Sequence, residues 1–246
     1  MIIGVILAGG KGSRFKAGET NKTAVLFNNK PLIQYGIEAY QGVANELCIV
    51  VGAHKDSVIA ATRGNNAHYI EQRKRLGTGH AIKLVVDYFK KKQLHPSVVL
   101  VGYGDHMTFY TQDIIRKIVK SHVLNKFDIT LITTSQKNPT GLGRIVRSNQ
   151  DKIVKIVEEK DASSAEREIT EINAGFYCFN YDFLEKNYKK LTKSPVTGEY
   201  YITELITIAI SQGKKVKGYK VPFKHVGYGI NTREDFSNGL LLYNSR

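Results

Sequence analysis

A chain of 246 residues with 42% hydrophobic and 24% charged residues is typical of a globular protein with one large α/β domain or two small ones. No apolar stretch approaches the roughly 20 residues that cross a bilayer, and the N-terminus lacks the regions of a secretory signal, so we expect no membrane insertion. The net charge of +14 comes largely from lysines spread over predicted helix surfaces and turns, which favours small polyanionic ligands over nucleic acid.

The first half of the chain alternates between strand-like and helix-like segments. Residues 2–7 form a short apolar run that predicts a buried strand, and residues 78–91 have apolar side chains at helical spacing. Such alternation predicts a Rossmann-like, mostly parallel mixed sheet with helices on both faces. The predicted strands are 2–7, 46–51, 67–70, 98–101 and 129–134, and the predicted helices are 31–40, 57–62, 78–91 and 113–122.

From about residue 140 the pattern changes. Residues 144–147 and 152–158 alternate apolar and polar side chains around a polar turn, which predicts a β-hairpin. We therefore expect a nucleotide-binding domain at 1–228 with a small β-rich, substrate-binding insertion at about 140–200, followed by a loop and terminal helix at 229–246. The later predicted elements are strands at 172–179 and 215–221 and helices at 201–211 and 232–243, the last capped by Thr232 or Asn231.

The two cysteines, Cys48 and Cys178, lie far apart in apolar strand-like runs. This placement is typical of reduced core thiols rather than of a disulfide or a metal pair. We therefore expect a cytoplasmic protein.

A glycine-rich loop follows the first predicted strand. Gly9, Gly10 and Gly12 let the backbone approach a ligand closely, and Lys11 and Arg14 add positive charge. Backbone N–H groups in such a loop suit a phosphate chain. The spacing matches neither the dinucleotide fingerprint nor the P-loop, so the loop alone does not distinguish a phosphate site from an ordinary turn.

Other polar segments follow predicted strands or begin predicted helices. Asp105 follows a buried strand and two glycines, where a carboxylate suits Mg²⁺ or simply caps a turn. Gly77 and Thr78 begin a helix, and Asn173 lies within a strand, where its amide needs partners. Asn231 offers a second oxygen ligand late in the chain.

Taken together, these motifs resemble the sugar-nucleotidyltransferase superfamily, and most closely the uridylyltransferase (pyrophosphorylase) domain of the bifunctional GlmU enzymes, which make UDP-N-acetylglucosamine. The resemblance covers nearly the whole chain and implies the nucleotide-diphospho-sugar transferase fold. It is carried by LAGGKGSRF (7–15), Lys22, Gln72 with LGTGHA (76–81), YGD (103–105), PTGLGRIVR (139–147), residues 157–175, GEYYITELI (198–206) and GINTR (229–233).

The resemblance implies a role for each matching residue. Arg14 would bind the departing pyrophosphate, Lys22 the reacting phosphates, and Asp105 and Asn231 a Mg²⁺ ion. Glu158 and Asn173 would contact the sugar hydroxyls and its amide. The uridine part would be held by Ala8, Gly9, Gly10, Gln72, Gly77 and Thr78, and the nucleotide-sugar pocket would be lined by Tyr103, Gly143, Glu158, Asn173, Tyr201 and Thr203. The implied activity joins N-acetylglucosamine 1-phosphate to UTP, giving UDP-sugar and pyrophosphate.

The chain departs from the family pattern at several positions. Asn21 replaces the proline before Lys22, and this change is expected to loosen the loop. His106 replaces an apolar residue, which we interpret as a packing change rather than as substrate tuning. Glu159 replaces a histidine, which could alter the sugar or nucleotide preference.

Two further questions are open at this stage. The family's left-handed β-helix domain has no counterpart in the sequence, so we expect no acetyltransferase activity, and the oligomeric state is open. Alternative functions are a cytidylyltransferase, or a transferase for another phosphorylated acceptor in surface-polysaccharide synthesis. A non-catalytic regulator with the same fold is a third, because fold does not fix function.

Overall fold

A computed structural model describes all residues from Met1 to Arg246. The chain forms eleven strands and eight α-helices. The strands are β1 (Ile2–Ala8), β2 (Leu26–Phe27), β3 (Lys30–Pro31), β4 (Glu46–Val51), β5 (Ala67–Glu71), β6 (Val98–Tyr103), β7 (Ile129–Ser135), β8 (Arg144–Arg147), β9 (Ile153–Val157), β10 (Glu171–Asn180) and β11 (Val216–Lys220). The helices are α1 (Leu32–Tyr40), α2 (Lys55–Ala61), α3 (Thr78–Lys91), α4 (Gln112–Leu124), α5 (Ser164–Arg167), α6 (Tyr181–Asn187), α7 (Glu204–Ser211) and α8 (Arg233–Asn244).

Nine strands form one mixed sheet, in which seven lie in the order β11-β7-β10-β6-β1-β4-β5 and β8 and β9 lie off this path. Strand β1 lies parallel between β4 and β6, while β10 runs antiparallel between β6 and β7. The β8–β9 hairpin joins the sheet through a pairing of Arg144 with Ile172 of β10. The mostly parallel sheet predicted from the sequence is therefore confirmed, and its antiparallel pairings are those of β10 and of the β8–β9 hairpin.

Helices cover both faces of the sheet, as the β–α alternation predicts. On one face, the apolar side of α3 packs on the sheet through Ile82, Val85 and Phe89, joined by residues of α6 and α7. On the other face, α1, α2 and α4 pack against alternate residues of the same strands, such as Ile6 and Leu100. Side chains that follow one another in a strand point to opposite faces, so each buried strand contributes to both cores.

Two predicted helix starts differ from the structure by two or more residues, and two helices, α5 and α6, were not predicted. The helix predicted at 201–211 begins only at Glu204, because Tyr200 and Ile202 are bonded to the start of α3 instead. The helix predicted at 57–62 begins at Lys55. The missed helix α6 is capped by the Asn180 side chain, which accepts from the Phe183 N–H at 3.1 Å.

Helix α8 is held by a separate aromatic cluster. Phe27 lies at its centre, with ring centroids 5.4 Å from Phe236 and 5.6 Å from Tyr243 of α8. Tyr35 and Phe109 pack on the other sides of Phe27. Helix α8 is thus packed against residues from the first 110 positions of the chain. The domain boundary predicted at residue 228 stays a prediction.

Cys48 and Cys178 are buried free thiols, as predicted. Burial, together with the nearby Glu46 carboxylate, raises the pKa of the Cys48 thiol to about 12. Burial also raises the pKa of Cys178. Both thiols are therefore protonated and unreactive at neutral pH. No helix of this fold is long and apolar enough to cross a membrane.

His122 couples stability to pH. Its ring on α4 is 2% exposed, and its Nδ1 lies 2.9 Å from the Thr130 hydroxyl of β7. Burial lowers the pKa of this imidazole from 6.5 to about 4, with Asp128 opposing the shift. Since the unfolded chain binds a proton that the folded chain excludes, stability is full above pH 6.5. It falls by up to about 3 kcal/mol as the pH drops towards 4.

Urea unfolding at pH 7.5 and pH 5 checks this expectation. His122→Asn keeps a polar partner for Thr130 but does not titrate, so the loss of stability between the two pH values should shrink. His95→Asn, at an exposed position, serves as the control and should behave as the wild type does. An unchanged pH dependence in the His122 variant would contradict the assignment.

Candidate active site

One cavity of about 560 Å³ lies at the carboxyl ends of β1 and β6, the edge where open α/β sheets hold ligands. It brings together residues that are separated by more than 200 positions in the chain. Of the sixteen site residues predicted from the sequence, all but Thr203 line it: Ala8, Gly9, Gly10, Arg14, Lys22, Gln72, Gly77, Thr78, Tyr103, Asp105, Gly143, Glu158, Asn173, Tyr201 and Asn231.

The glycine-rich loop presents unpaired backbone donors to this cavity. The N–H groups from Gly10 to Arg14 donate to no acceptor within the protein. Gly12 has a positive φ of 61°, and a Cβ there would lie 3.1 Å from the Cβ of Lys22, so glycine permits this close approach. Successive free N–H groups beside Arg14 form an arrangement suited to phosphate oxygens.

Asn21 fastens the loop that carries Lys22. This side chain is 1% exposed, and its Nδ2 donates to the carbonyls of Ala8, Gly10 and Ala53 at 3.0, 3.1 and 2.8 Å. Its Oδ1 accepts from the Thr23 N–H at 3.0 Å and so caps the 3-10 turn that contains Lys22. The expectation that loss of proline loosens this loop is therefore wrong, because side-chain hydrogen bonds replace the missing rigidity.

Lys22 lies between the two predicted metal ligands. Its Nζ forms an ion pair with Asp105 and donates to the Asn231 Oδ1 at 3.1 Å. Burial opposes ionisation of Asp105, but the Lys22 ammonium outweighs it and holds the pKa of the carboxyl below its ordinary value. The Ile230 N–H donates to the Asp105 carbonyl at 2.9 Å, which ties the two ligand-bearing loops together.

The donor set of this region fits a hard cation. The Asp105 carboxylate and the Asn231 amide oxygen contact the same ammonium group, so two oxygen donors converge on one positive charge. The chain has no cluster of three or more His, Cys, Asp or Glu side chains that could hold a metal alone. Such a pair suits Mg²⁺, which combines one or two protein oxygens with phosphate oxygens and water.

His106 packs beside these ligands. Its ring centroid lies 5.5 Å from that of Tyr103, and the glycines at 175 and 229 leave room for the imidazole. The Asn231 Nδ2 lies 3.4 Å from its Nε2. Burial lowers the pKa of His106, and the Lys22 charge adds to this effect while Asp105 opposes it. These contacts agree with the interpretation of His106 as a packing change.

A second group of residues surrounds Glu158. The Thr203 hydroxyl donates to the Glu158 Oε1 at 2.8 Å, so Thr203 acts behind the cavity wall rather than on it. Burial raises the pKa of Glu158, and the Thr203 hydrogen bond partly offsets the rise. The Asn173 Nδ2 donates to the Tyr177 hydroxyl at 2.5 Å, and its Oδ1 accepts from the Gly175 N–H at 3.2 Å. The Asn173 amide is therefore held in one orientation by the protein.

Glu159 fastens the loop between β7 and β8. Its Oε2 accepts from Arg144 at 2.7 Å and from the Gly141 N–H at 3.1 Å. Arg144 is buried, and it also donates to the Leu142 carbonyl. The replacement of a histidine by Glu159 thus adds an ion pair beneath residues that line the cavity, while its effect on substrate preference stays a prediction.

Sequence reasoning missed some residues of the cavity. Arg75 is an exposed cation that lines it, and the only signal for this was its position just before Leu76-Gly77-Thr78. At Asn21 the sequence pattern shows only the absence of a proline, and gives no sign of the hydrogen bonds that its side chain makes. Leu142 and Glu199 also line the cavity, and both lie beside residues that the motifs had already included.

Three comparisons with known proteins agree with this arrangement. The family model described as nucleotidyl transferase matches residues 3–225. The bifunctional protein GlmU of Acetivibrio thermocellus is 38% identical over 249 residues, covering 100% of this chain and 52% of the relative. GlmU of Caldanaerobacter subterraneus is 34% identical over 237 residues, covering 96% of this chain and 50% of the relative. The chain thus spans about half the length of the curated relatives it matches.

A solved structure has the same fold. The crystal structure of a putative glucose-1-phosphate thymidylyltransferase from Bacillus anthracis, in complex with sucrose, superposes with a TM-score of 0.81. The matched region covers 100% of this chain and 96% of the chain in that structure, and the two sequences are 22% identical. At that identity the likeness establishes the shared fold.

Proposed function

This chain belongs to the nucleotidyl transferase family, and from that premise we propose that it joins N-acetylglucosamine 1-phosphate to UTP, giving UDP-N-acetylglucosamine and pyrophosphate. One observation carries the proposal. A single cavity combines the cations Arg14 and Lys22, the oxygen donors Asp105 and Asn231, and the polar group around Glu158. These are the groups needed to bring two polyanions together and to recognise a sugar.

The reaction requires no general base. The sugar 1-phosphate is already ionised, so one of its oxygens attacks the α-phosphorus of the nucleotide in line. A new phosphorus–oxygen bond forms, and the bond to the β-phosphate breaks to release pyrophosphate. The main obstacle is repulsion between the two anions. Lys22 and Arg14 offset that repulsion, and the free N–H groups of residues 10–14 orient the departing phosphates.

Asp105 and Asn231 would hold Mg²⁺ in this proposal. The ion would supply positive charge that offsets the repulsion between the phosphates of the two substrates. Lys22 contacts both residues, so its ammonium lies beside the proposed ion site and adds positive charge there.

The sugar side of the cavity supports an N-acetylhexosamine. Glu158 offers a carboxylate for sugar hydroxyls, and Thr203 orients it. The fixed Asn173 amide can meet the acetamido group with its remaining hydrogen. The GlmU relatives at 32–38% identity point to the same sugar.

Pyrophosphate release with Mg²⁺ tests the proposal. UTP and CTP would each be combined with N-acetylglucosamine 1-phosphate, glucose 1-phosphate and N-acetylgalactosamine 1-phosphate. Release is expected with UTP and N-acetylglucosamine 1-phosphate. Release only with another pair would keep the reaction and change the substrate. No release with any pair, and no nucleotide binding in calorimetry, would favour a non-catalytic protein.

A further inference from the structure

The loop that joins β7 to β8 lines one side of the cavity through Gly141, Leu142 and Gly143. Its second half is fixed by the sheet, because the Asn173 N–H of β10 donates to the Gly143 carbonyl at 2.9 Å. Residues 137–141 form a single hydrogen bond to the protein outside this loop, in which the Gly141 N–H donates to the Glu159 Oε2 at 3.1 Å. The position of the first half of the loop therefore depends on the Glu159 side chain.

Glu159 is itself held in place by a buried cation. The Arg144 Nη2 donates to the Glu159 Oε2 at 2.7 Å, and Arg144 is 2% exposed. Burial opposes ionisation of Glu159, but the hydrogen bonds from Arg144 and Gly141 outweigh it, so the pKa of the carboxyl lies below its ordinary value. Glu159 is therefore ionised at neutral pH and offers the Gly141 N–H a fixed, charged acceptor.

Gly141 lies against the arginine of the glycine-rich loop. A Cβ built on Gly141 would be 3.0 Å from the Arg14 Nη1, so the guanidinium packs directly on the loop backbone. The φ of Gly141 is 80°, a conformation that favours glycine. The Arg14 side chain is exposed, and none of the ion pairs of the structure includes it. The backbone at Gly141 thus restricts where this unpaired positive charge can lie.

We propose that Glu159 is a positioning residue, which holds Gly141 against the Arg14 guanidinium and so places this charge before the substrates bind. The inference rests on the proposed nucleotidyl transfer, in which Arg14 binds the departing pyrophosphate. It gives a role to a residue that does not line the cavity. An arginine side chain has many rotamers, and a fixed surface beside it reduces their number. Charges that are already in place stabilise a transition state better than charges that must first move.

The two halves of the loop predict different effects on the two substrates. Loss of the Glu159 carboxylate would release Gly141, whereas Gly143 would keep its hydrogen bond to Asn173. Binding of UTP and of pyrophosphate should therefore weaken, because both would depend on Arg14. The KM for N-acetylglucosamine 1-phosphate should stay close to that of the wild type, since the sugar side of the loop remains in place.

The main experiment measures pyrophosphate affinity by calorimetry with Mg²⁺ present, which requires neither sugar phosphate nor turnover. Glu159→Ala should weaken binding by about tenfold or more. Glu159→Gln keeps an acceptor for the Gly141 N–H and should retain most of the affinity. Glu166→Ala is the matched control, because that carboxylate is 20% exposed, pairs with Lys155 at 2.7 Å and caps α5 without bonding to the loop.

A double-mutant cycle distinguishes positioning from a general loss of structure. If Glu159 acts through Arg14, Glu159→Ala should have little further effect on pyrophosphate affinity in an Arg14→Ala background. Hydrogen exchange of residues 137–143 should become faster in Glu159→Ala and not in Glu166→Ala. If Glu159→Ala does not fold, a double variant with Glu159→Leu and Arg144→Met takes its place, because it replaces the ion pair by apolar side chains.

Several results would overturn the inference. They are a wild type that does not bind pyrophosphate, an unchanged affinity in Glu159→Ala, and additive effects of the Glu159 and Arg14 substitutions. A KM for N-acetylglucosamine 1-phosphate that rises as much as the KM for UTP would also overturn it. The binding measurements decide the inference even if the wild type catalyses no transfer, an outcome that would contradict the proposed function alone.

Discussion

Asp105→Asn is expected to lower kcat/KM for pyrophosphate release by about 10²–10³, which corresponds to about 2.7–4 kcal/mol of transition-state stabilisation. The carboxylate is the only negative charge that contacts Lys22, and it shares that contact with the Asn231 oxygen. An amide of the same size would keep the shape of the site. It would also leave the lysine without its counter-charge and weaken the proposed Mg²⁺ site.

Steady-state assays over a range of Mg²⁺ concentrations measure this effect. The half-saturating Mg²⁺ concentration should rise together with the loss of rate. Asp113→Asn is a matched control, because that carboxylate is 79% exposed on α4 and pairs only with Arg116. A melting temperature for each variant separates loss of function from loss of fold. Turnover close to that of the wild type in Asp105→Asn would remove this residue from the proposed mechanism.

Phe27→Ala is expected to destabilise the protein by about 3–5 kcal/mol, the usual cost of emptying a buried aromatic position. Phe27 is fully buried, and four other aromatic rings lie within 6.4 Å of its centroid. Two of those rings belong to α8. Their loss of contact should loosen α8, and with it the loop that carries Asn231.

Urea unfolding gives the loss of stability, and limited proteolysis shows whether α8 is released first. Leu26→Ala serves as the neighbouring control, because Leu26 is 59% exposed and its truncation should change stability by less than about 0.5 kcal/mol. If Phe27→Ala and Leu26→Ala unfold at the same urea concentration, the aromatic cluster does not hold α8 as described.

The sequence predicted best those elements whose local pattern and tertiary environment agree. The helix α3 was placed at its observed bounds, because its apolar face recurs at helical spacing and Gly77 precedes it. The β8–β9 hairpin was also recognised from alternation. The start of α7 was placed three residues too early, since bonds from Tyr200 and Ile202 to residues 76–79 are tertiary and leave no local signature.

The site was predicted less directly. Nothing in the spacing of Asp105 and Asn231 indicates that they meet, and only the resemblance to a family joined them. At Asn21, by contrast, the family pattern was misleading. The missing proline predicts a looser loop, but the Asn21 side chain holds the loop with its own hydrogen bonds. The role of Thr203 behind Glu158 required the packing of α7 against the hairpin, which the sequence does not specify.

The fastening of α8 also has a consequence for the chain during its synthesis. Once a ribosome has added residue 180, every strand of the sheet except β11 has been made, and the core between β1, β6 and β10 can form. Asn231 and the two α8 rings that enclose Phe27 have not yet been made. A nascent chain that stops before residue 231 can therefore have a largely formed core and still lack Asn231 and the rings that hold α8, so the proposed site is completed only after these residues have been made.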